Sequence, residues 1–238
     1  MPNPYFRFKQ FTINHDQCSM KVTTDSCLFG SWVAGHIRNL DADKNILDIG
    51  SGSGLLSLMI AQQTQALIEG VEIQKDDYGQ SIYNISNSPF ANRITIHQAN
   101  ALQFNYTKKY HAIISNPPFY ENDLKSAATG KNIAHHDEGL KLPELLNLIG
   151  RQLTVDGAFF LLLPQKRLAD LQQFIAKRQL FVNEIVSVHQ TPHHDAFRIM
   201  LRGSFLESRS EVYKIVIKEG TDYSADFTRL LKDYYLYL

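Results

Sequence analysis

Cysteine, net charge and long apolar runs are all scarce in this chain. Its two cysteines, Cys18 and Cys27, are too few to staple 238 residues, and their spacing fits no familiar zinc pattern. Reduced, packed thiols are expected, which points to a cytoplasmic protein. The longest apolar run, AFFLLL at 158–163, is far short of the ~20 residues that a bilayer span needs. The opening MPNPYFRFKQF puts Pro2, Pro4, Arg7 and Lys9 where a secretion signal needs an unbroken apolar stretch. Lys plus Arg number 24, as do Asp plus Glu, so no global field draws in a polyanion and binding one needs a local basic patch. Arg7, Lys9, Lys108, Lys109, Lys125, Lys131, Arg198 and Arg202 are candidates for such a patch. With no repeat, low-complexity tract or linker, residues 1–238 read as a single domain, expected to act as a monomer, in which residues 1–40 form an N-terminal extension.

Short apolar runs alternate with helical patterns from residue 45 onward. NILDIG (45–50), ALIEGVEI (66–73), ITIHQA (94–99), HAIISN (111–116) and GAFFLLLP (157–164) read as strands buried on both faces of a parallel sheet. Helices are expected at 54–63, 75–86, 141–153 and 166–179; in the last, Leu168, Leu171, Phe174 and Ile175 lay one apolar stripe on the sheet. The segments 183–190, 197–205 and 212–219 follow with only loops between them and read as an antiparallel hairpin closing the sheet edge, and 226–238 as a terminal helix. The fold class is therefore α/β, a doubly wound, mostly parallel seven-stranded sheet with a C-terminal antiparallel hairpin. The stretch 120–140 lacks clear periodicity and is expected to be a lid that orders on substrate.

LDIGSGSGLLSL (47–58) places Gly50, Gly52 and Gly54 between the first parallel strand and its helix. Glycines allow a tight turn and close approach of a ligand to the backbone, and the helix N-terminus offers unpaired N–H groups. A dinucleotide fingerprint would need a glycine at position 55, where the chain has Leu55. The G-x-G-x-G form with Asp48 ahead of it instead resembles the loop of class I methyltransferases that use S-adenosylmethionine. That resemblance implies cofactor contacts at Asp48, Gly50, Ser51, Gly52 and Gly54. Glu72, with Ile73 behind it, ends the second strand, where a carboxylate can accept bonds from both ribose hydroxyls. Asn100, followed by Ala101, stands where such enzymes often carry an aspartate that recognises the adenine; an asparagine carbonyl can still accept a bond from an amino group.

After the fourth strand comes IISNPPFYEND (113–123). Asn116, Pro117, Pro118 and Phe119 resemble the [DNS]-P-P-[FYW] signature of methyltransferases that modify planar amino nitrogens. The lone pair of such a nitrogen is delocalised, so it is a poor nucleophile. Two acceptors facing the NH2 hold both protons while the lone pair points at the methyl donor, and the Asn116 side-chain carbonyl and the Pro117 backbone carbonyl suit that task. Pro117 has no N–H to repel the substrate, and the proline pair stiffens the turn. Phe119 offers a face for a flat base, worth ~1–3 kcal/mol.

FRFKQFTINHDQCSMKVTTDSCLFGSW near the start, the glycine loop, NPPF, FYENDLKS, HHDEGL and the ending KDYYLYL together closely resemble the bacterial tRNA1(Val) adenine-N6-methyltransferases, along nearly the whole chain. The resemblance implies a Rossmann-like class I fold, S-adenosylmethionine as cofactor and a tRNA anticodon loop as partner, with adenine 37 as target. It also implies that Lys21, Asp25 and Trp32 wrap the cofactor from the N-terminal side, the alternative being an amphipathic helix start with a packed tryptophan. Thr23 and Ser26 stand where that family usually carries glycines. An adenine in a loop is already single-stranded or easily splayed out, which lowers the cost of presenting it. The pairs His135–His136 and His193–His194, with Asp137 and Asp195, raise a metal as an alternative, but adjacent histidines diverge and no metal is expected. Two rivals stay open: methylation of another planar amino group (glutamine N5 of release factors, an rRNA or DNA base), and a non-catalytic S-adenosylmethionine-binding module.

Overall fold

The computed structural model describes residues 3–117, 140–175 and 177–238. The stretch expected to be a lid lies almost wholly outside them, as do Pro118, Phe119, Lys125, Lys131 and His135–Asp137. In chain order the elements are β1 (Tyr5–Arg7), β2 (Thr12–Asn14), α1 (Thr24–Ile37), β3 (Asn45–Ile49), α2 (Leu55–Ala61), β4 (Leu67–Glu72), α3 (Lys75–Ser86), β5 (Ile94–Gln98) and β6 (Tyr110–Ser115). They continue with α4 (Leu142–Gln152), β7 (Leu153–Pro164), α5 (Leu168–Ile175), β8 (Phe181–His189), β9 (Ala196–Ser204), β10 (Glu211–Val216), β11 (Lys218–Glu219), β12 (Asp222–Tyr223) and α6 (Ala225–Leu231).

The central sheet has eight strands in the order β10-β8-β9-β7-β6-β3-β4-β5. This exceeds the expected seven, and the difference lies at the C-terminal edge. There β8 and β9 form the anticipated antiparallel hairpin, while β10 turns back to pair parallel with β8, Glu211 opposite Glu184. As the outermost strand, β10 leaves Val212 and Tyr213 exposed and buries Ile215. The terminal helix is also shorter than expected: α6 stops at Leu231 and the chain turns to bring Tyr235 onto Phe8.

Strand alternation sorts side chains between two cores. In β3, Ile46 faces a core with α1, α2 and α6, whereas Leu47 and Ile49 face one with α4 and α5. The aromatic residues at the start belong to the first core: β1 and β2 pair as a hairpin, and Phe6, Phe8 and Phe11 pack on one another and on Tyr235 and Phe90. Backbone pairing of Lys9 with Tyr234 and the bond from the Tyr234 hydroxyl to the Met59 carbonyl at 3.0 Å join both ends of the chain to α2. Helix α1 is capped by Thr23, whose side chain accepts the Ser26 N–H, and is joined to the hairpin by the segment 15–23.

Candidate active site

Four neighbouring parallel strands end together. Ile49 of β3 pairs with Val71 of β4 and with Ser115 of β6, and Glu72 pairs with Gln98 of β5. Gly50, Glu72, Asn100 and Asn116 therefore leave the sheet at its carboxyl edge, where open α/β sheets hold ligands. The chain segment between β2 and α1 closes over this edge through α3: Asp77 accepts the Ser19 N–H at 2.8 Å and the Ser19 hydroxyl at 2.5 Å, Gln80 accepts the Gln17 N–H at 3.1 Å, and Asn84 accepts the Asn14 N–H at 2.9 Å. Sequence reasoning missed these three residues. Their spacing of three and four on one helix, giving a polar stripe on a buried face, was the available signal.

The loop after β3 has Gly50, Gly52 and Gly54 at φ of 72°, 52° and 82°. The N–H groups of Gly50 and Ser51 point back to the Val71 carbonyl at 2.9 and 3.3 Å, which folds the loop against β4. A Cβ at Gly52 would meet open space, whereas one at Gly70 beneath the loop would lie 2.4 Å from Ile96 and 3.2 Å from Ser51. Glu72 is buried and closes the same loop: one carboxylate oxygen accepts the Gly52 N–H at 2.8 Å and the other the Gln74 N–H at 2.8 Å. Asp48 is fully buried, with Oδ2 accepting the Ser57 hydroxyl at 2.7 Å and Oδ1 without a partner among the described residues. Burial pushes the Asp48 carboxyl up to about 7 against the opposing Ser57 hydrogen bond. Burial raises Glu72 as well, opposed by the Gln74 and Gly52 amides.

Asn116 follows β6 directly. Its side-chain N–H donates to Ser26 Oγ at 3.0 Å, and no group among the described residues donates to its carbonyl oxygen. Pro117 is buried beside it. Asn100 uses its side-chain oxygen to close its own turn, accepting the Leu102 N–H at 2.9 Å. The carbonyl anticipated as a free acceptor is thus partly engaged, and the amide N–H is the group left over. Ala101 is half-buried beside it and Ile73 is 49% exposed next to Glu72.

Of the three residues expected to wrap the cofactor, Asp25 and Trp32 have partners within the fold. Asp25 is held by Arg198, whose Nε lies 2.8 Å from its carboxylate, so it ties α1 to β9. Trp32 is packed edge-on to Phe160 and donates to Glu184 at 3.3 Å, and so belongs to the core. This is the packing that the alternative reading describes: two turns into α1, position 32 faces β7 and β8. Lys21 is exposed on the covering segment. The basic candidates also separate. Lys108 pairs with Glu69 at 3.1 Å and Lys109 caps the Arg151 carbonyl beside the start of β6, the opposite end of the strand from Asn116. Among the described residues, no group of three or more His, Cys, Asp or Glu could hold a metal, and no helix is long and apolar enough to cross a membrane.

Residues 31–144 match the family model of the methyltransferase small domain. The tRNA1(Val) (adenine(37)-N6)-methyltransferase of Dyadobacter fermentans is 38% identical over 243 residues, covering 98% of each chain. That of Parabacteroides distasonis is 35% identical over 241 residues, covering 99% of each. The chain belongs to the tRNA1(Val) (adenine(37)-N6)-methyltransferase family.

The fold agrees with that membership. A predicted O-methyltransferase from Agrobacterium tumefaciens superposes with a TM-score of 0.64 at 16% identity, covering 88% of this chain and 96% of that one. The methyl donor of such folds is S-adenosylmethionine, which carries two cationic centres, a carboxylate, ribose hydroxyls and an adenine. The family site fits it on its own observations. Among the described residues Asp48 Oδ1 and Ser51 Oγ are buried without partners, the glycine loop is open on one side, and a buried carboxylate lies beside an exposed isoleucine.

Proposed function

We propose that this enzyme transfers a methyl group from S-adenosylmethionine to N6 of an adenine in a tRNA anticodon loop, adenine 37 of tRNA1(Val). The observation that carries the reading is the orientation of Asn116 at the end of β6. Its amide N–H is taken up by Ser26, so its carbonyl oxygen is the end left to receive a substrate.

The cofactor supplies a methyl group on a cationic sulfur, open to displacement by a nitrogen lone pair. The chain supplies the rest. Asn116 Oδ1 and the Pro117 carbonyl are two acceptors for the two protons of an exocyclic NH2, and Pro117 brings no N–H of its own to oppose them. Acceptors aimed at an amino nitrogen that gains positive charge favour the transition state over the ground state. A methylated, charged nitrogen releases its proton readily, so no strong base is needed. Asp48, Ser51, Gly52 and Glu72 are assigned to holding the cofactor, with Ile73 offering apolar surface to its adenine. Phe119, outside the described residues, keeps its assignment as a stacking platform. A tRNA substrate fits a cytoplasmic enzyme.

A labelled-methyl assay offering tRNA, DNA and a peptide-chain release factor in parallel tests the reading. Label recovered as N6-methyladenosine in tRNA, and lost in Asn116→Ala while cofactor binding persists, is the expected result. Label in DNA or protein alone, or full activity of Asn116→Ala, overturns it.

A further inference from the structure

Ser26 is a polar side chain in a place where one is costly. It lies in the first turn of α1, 4% exposed and flanked by buried Cys27 and Leu28. A hydroxyl buried there must be hydrogen-bonded, and it has two side-chain partners. Thr23 Oγ1, the cap of the helix, accepts the Ser26 N–H at 3.4 Å and lies 2.7 Å from Ser26 Oγ. Ser26 Oγ accepts the Asn116 side-chain N–H at 3.0 Å, a bond that holds whichever of the two hydroxyls donates to the other. Asn116, Ser26 and Thr23 thus form one hydrogen-bonded chain, its first link spanning 90 residues of sequence.

A carboxamide has two chemically opposite ends of nearly the same shape, and the torsion that exchanges them is soft. For the reaction proposed above the distinction is decisive. The oxygen end attracts a substrate NH2, and the nitrogen end would set N–H against N–H. We propose that Ser26, backed by Thr23, is a positioning residue that fixes the Asn116 carboxamide with its oxygen toward the substrate amino group. The frame that holds Ser26 is itself pinned: Asp25 pairs with Arg198 of β9 at 2.8 Å, and the Ser31 hydroxyl donates to the Leu230 carbonyl of α6. The hydroxyl therefore stands on a rigid element rather than on a loop, which is what orientation of a reacting group requires. The inference rests on Asn116 meeting the substrate, and the test separates the two.

Ser26→Ala is compared with native enzyme in native and Asn116→Asp backgrounds, following kcat, both KM values, cofactor binding by calorimetry, and the Asn116 side-chain amide by NMR of 15N-asparagine-labelled protein. In the native background Ser26→Ala should lower kcat about tenfold or more, leave the KM values within about twofold, and shift the Asn116 NH2 resonances with faster solvent exchange. A carboxylate presents an oxygen at either end, so in the Asn116→Asp background the same change should cost less than about twofold. Ser26→Thr, which keeps the hydroxyl, should retain most of kcat. An unchanged kcat together with an unchanged Asn116 amide signal overturns the proposal. So does an equal loss in both backgrounds, which would mark Ser26 as a packing residue. Full activity of Asn116→Ala instead defeats the underlying reading, while the NMR arm still reports whether Ser26 holds the amide.

Discussion

Glu72 and Gly52 are joined by a 2.8 Å hydrogen bond from the loop amide to a buried carboxylate. The acid at the end of β4 therefore shapes the glycine loop as well as facing the ligand side. Its second oxygen is committed to the Gln74 amide at 2.8 Å, so both oxygens hold backbone. In Glu72→Gln one of these amides must face an NH2 group, and an unmet buried N–H costs about 1–3 kcal/mol. Cofactor affinity is expected to fall about tenfold or more. Titration calorimetry checks it, and an unchanged affinity would remove Glu72 from the site.

Two glycines should respond with opposite signs. Gly52 has φ of 52° with open space where a Cβ would stand. Gly52→Ala should lower unfolding stability by about 1–2 kcal/mol through backbone strain, and should weaken cofactor binding further by filling the open side. Gly79 lies exposed inside α3 with nothing within 4 Å of a Cβ. There Gly79→Ala should stabilise by about 0.5–1 kcal/mol. Denaturant melts with and without cofactor measure both.

The pH dependence of the ligand-free protein should carry the mark of Asp48. Its folded value is pushed up to about 7, well above the ordinary carboxylate value of an unfolded chain. A raised group binds its proton more tightly when folded. The stability it contributes is full below about pH 4 and is lost as pH rises toward and through 7. Melting temperature should therefore fall more steeply between pH 5 and 8 in the native protein than in Asp48→Asn. Parallel slopes would show that the carboxyl is already ionised when buried.

The Asp25–Arg198 pair separates a structural role from a cofactor role. If Asp25 serves to hold α1, then Asp25→Asn and Arg198→Ala should each cost up to about 1 kcal/mol, a modest figure because Arg198 is partly exposed and screened. The double variant should cost no more than either single one, and cofactor affinity should stay within about twofold. A cofactor loss confined to Asp25→Asn would return Asp25 to the cofactor site.

Local chemistry makes much of the fold and site legible in the sequence. The apolar runs of β3 to β7 announce strands buried on two faces, because solvent exclusion from both sides leaves no polar alternation. Asp48, the three glycines, Glu72 and Asn116 can be named because they fall in short motifs at strand ends that resemble those of methyltransferases. The eighth strand escapes such reading, because an edge strand with one wet face carries no mark of whether its neighbour runs parallel or antiparallel.

The chain alone marked the strands and helices of the central sheet and the short motifs that follow them, since burial periodicity and turn chemistry act over a few residues. It did not mark the N-terminal hairpin and α1 or the early end of α6. Only tertiary structure decided the pairings: Trp32 with Glu184 across 152 positions, Asp25 with Arg198 across 173, and Asn116 with Ser26 across 90. Such pairs depend on strand order and on where each helix crosses the sheet. Those are set by the joint burial of two cores, and no single stretch of sequence records them.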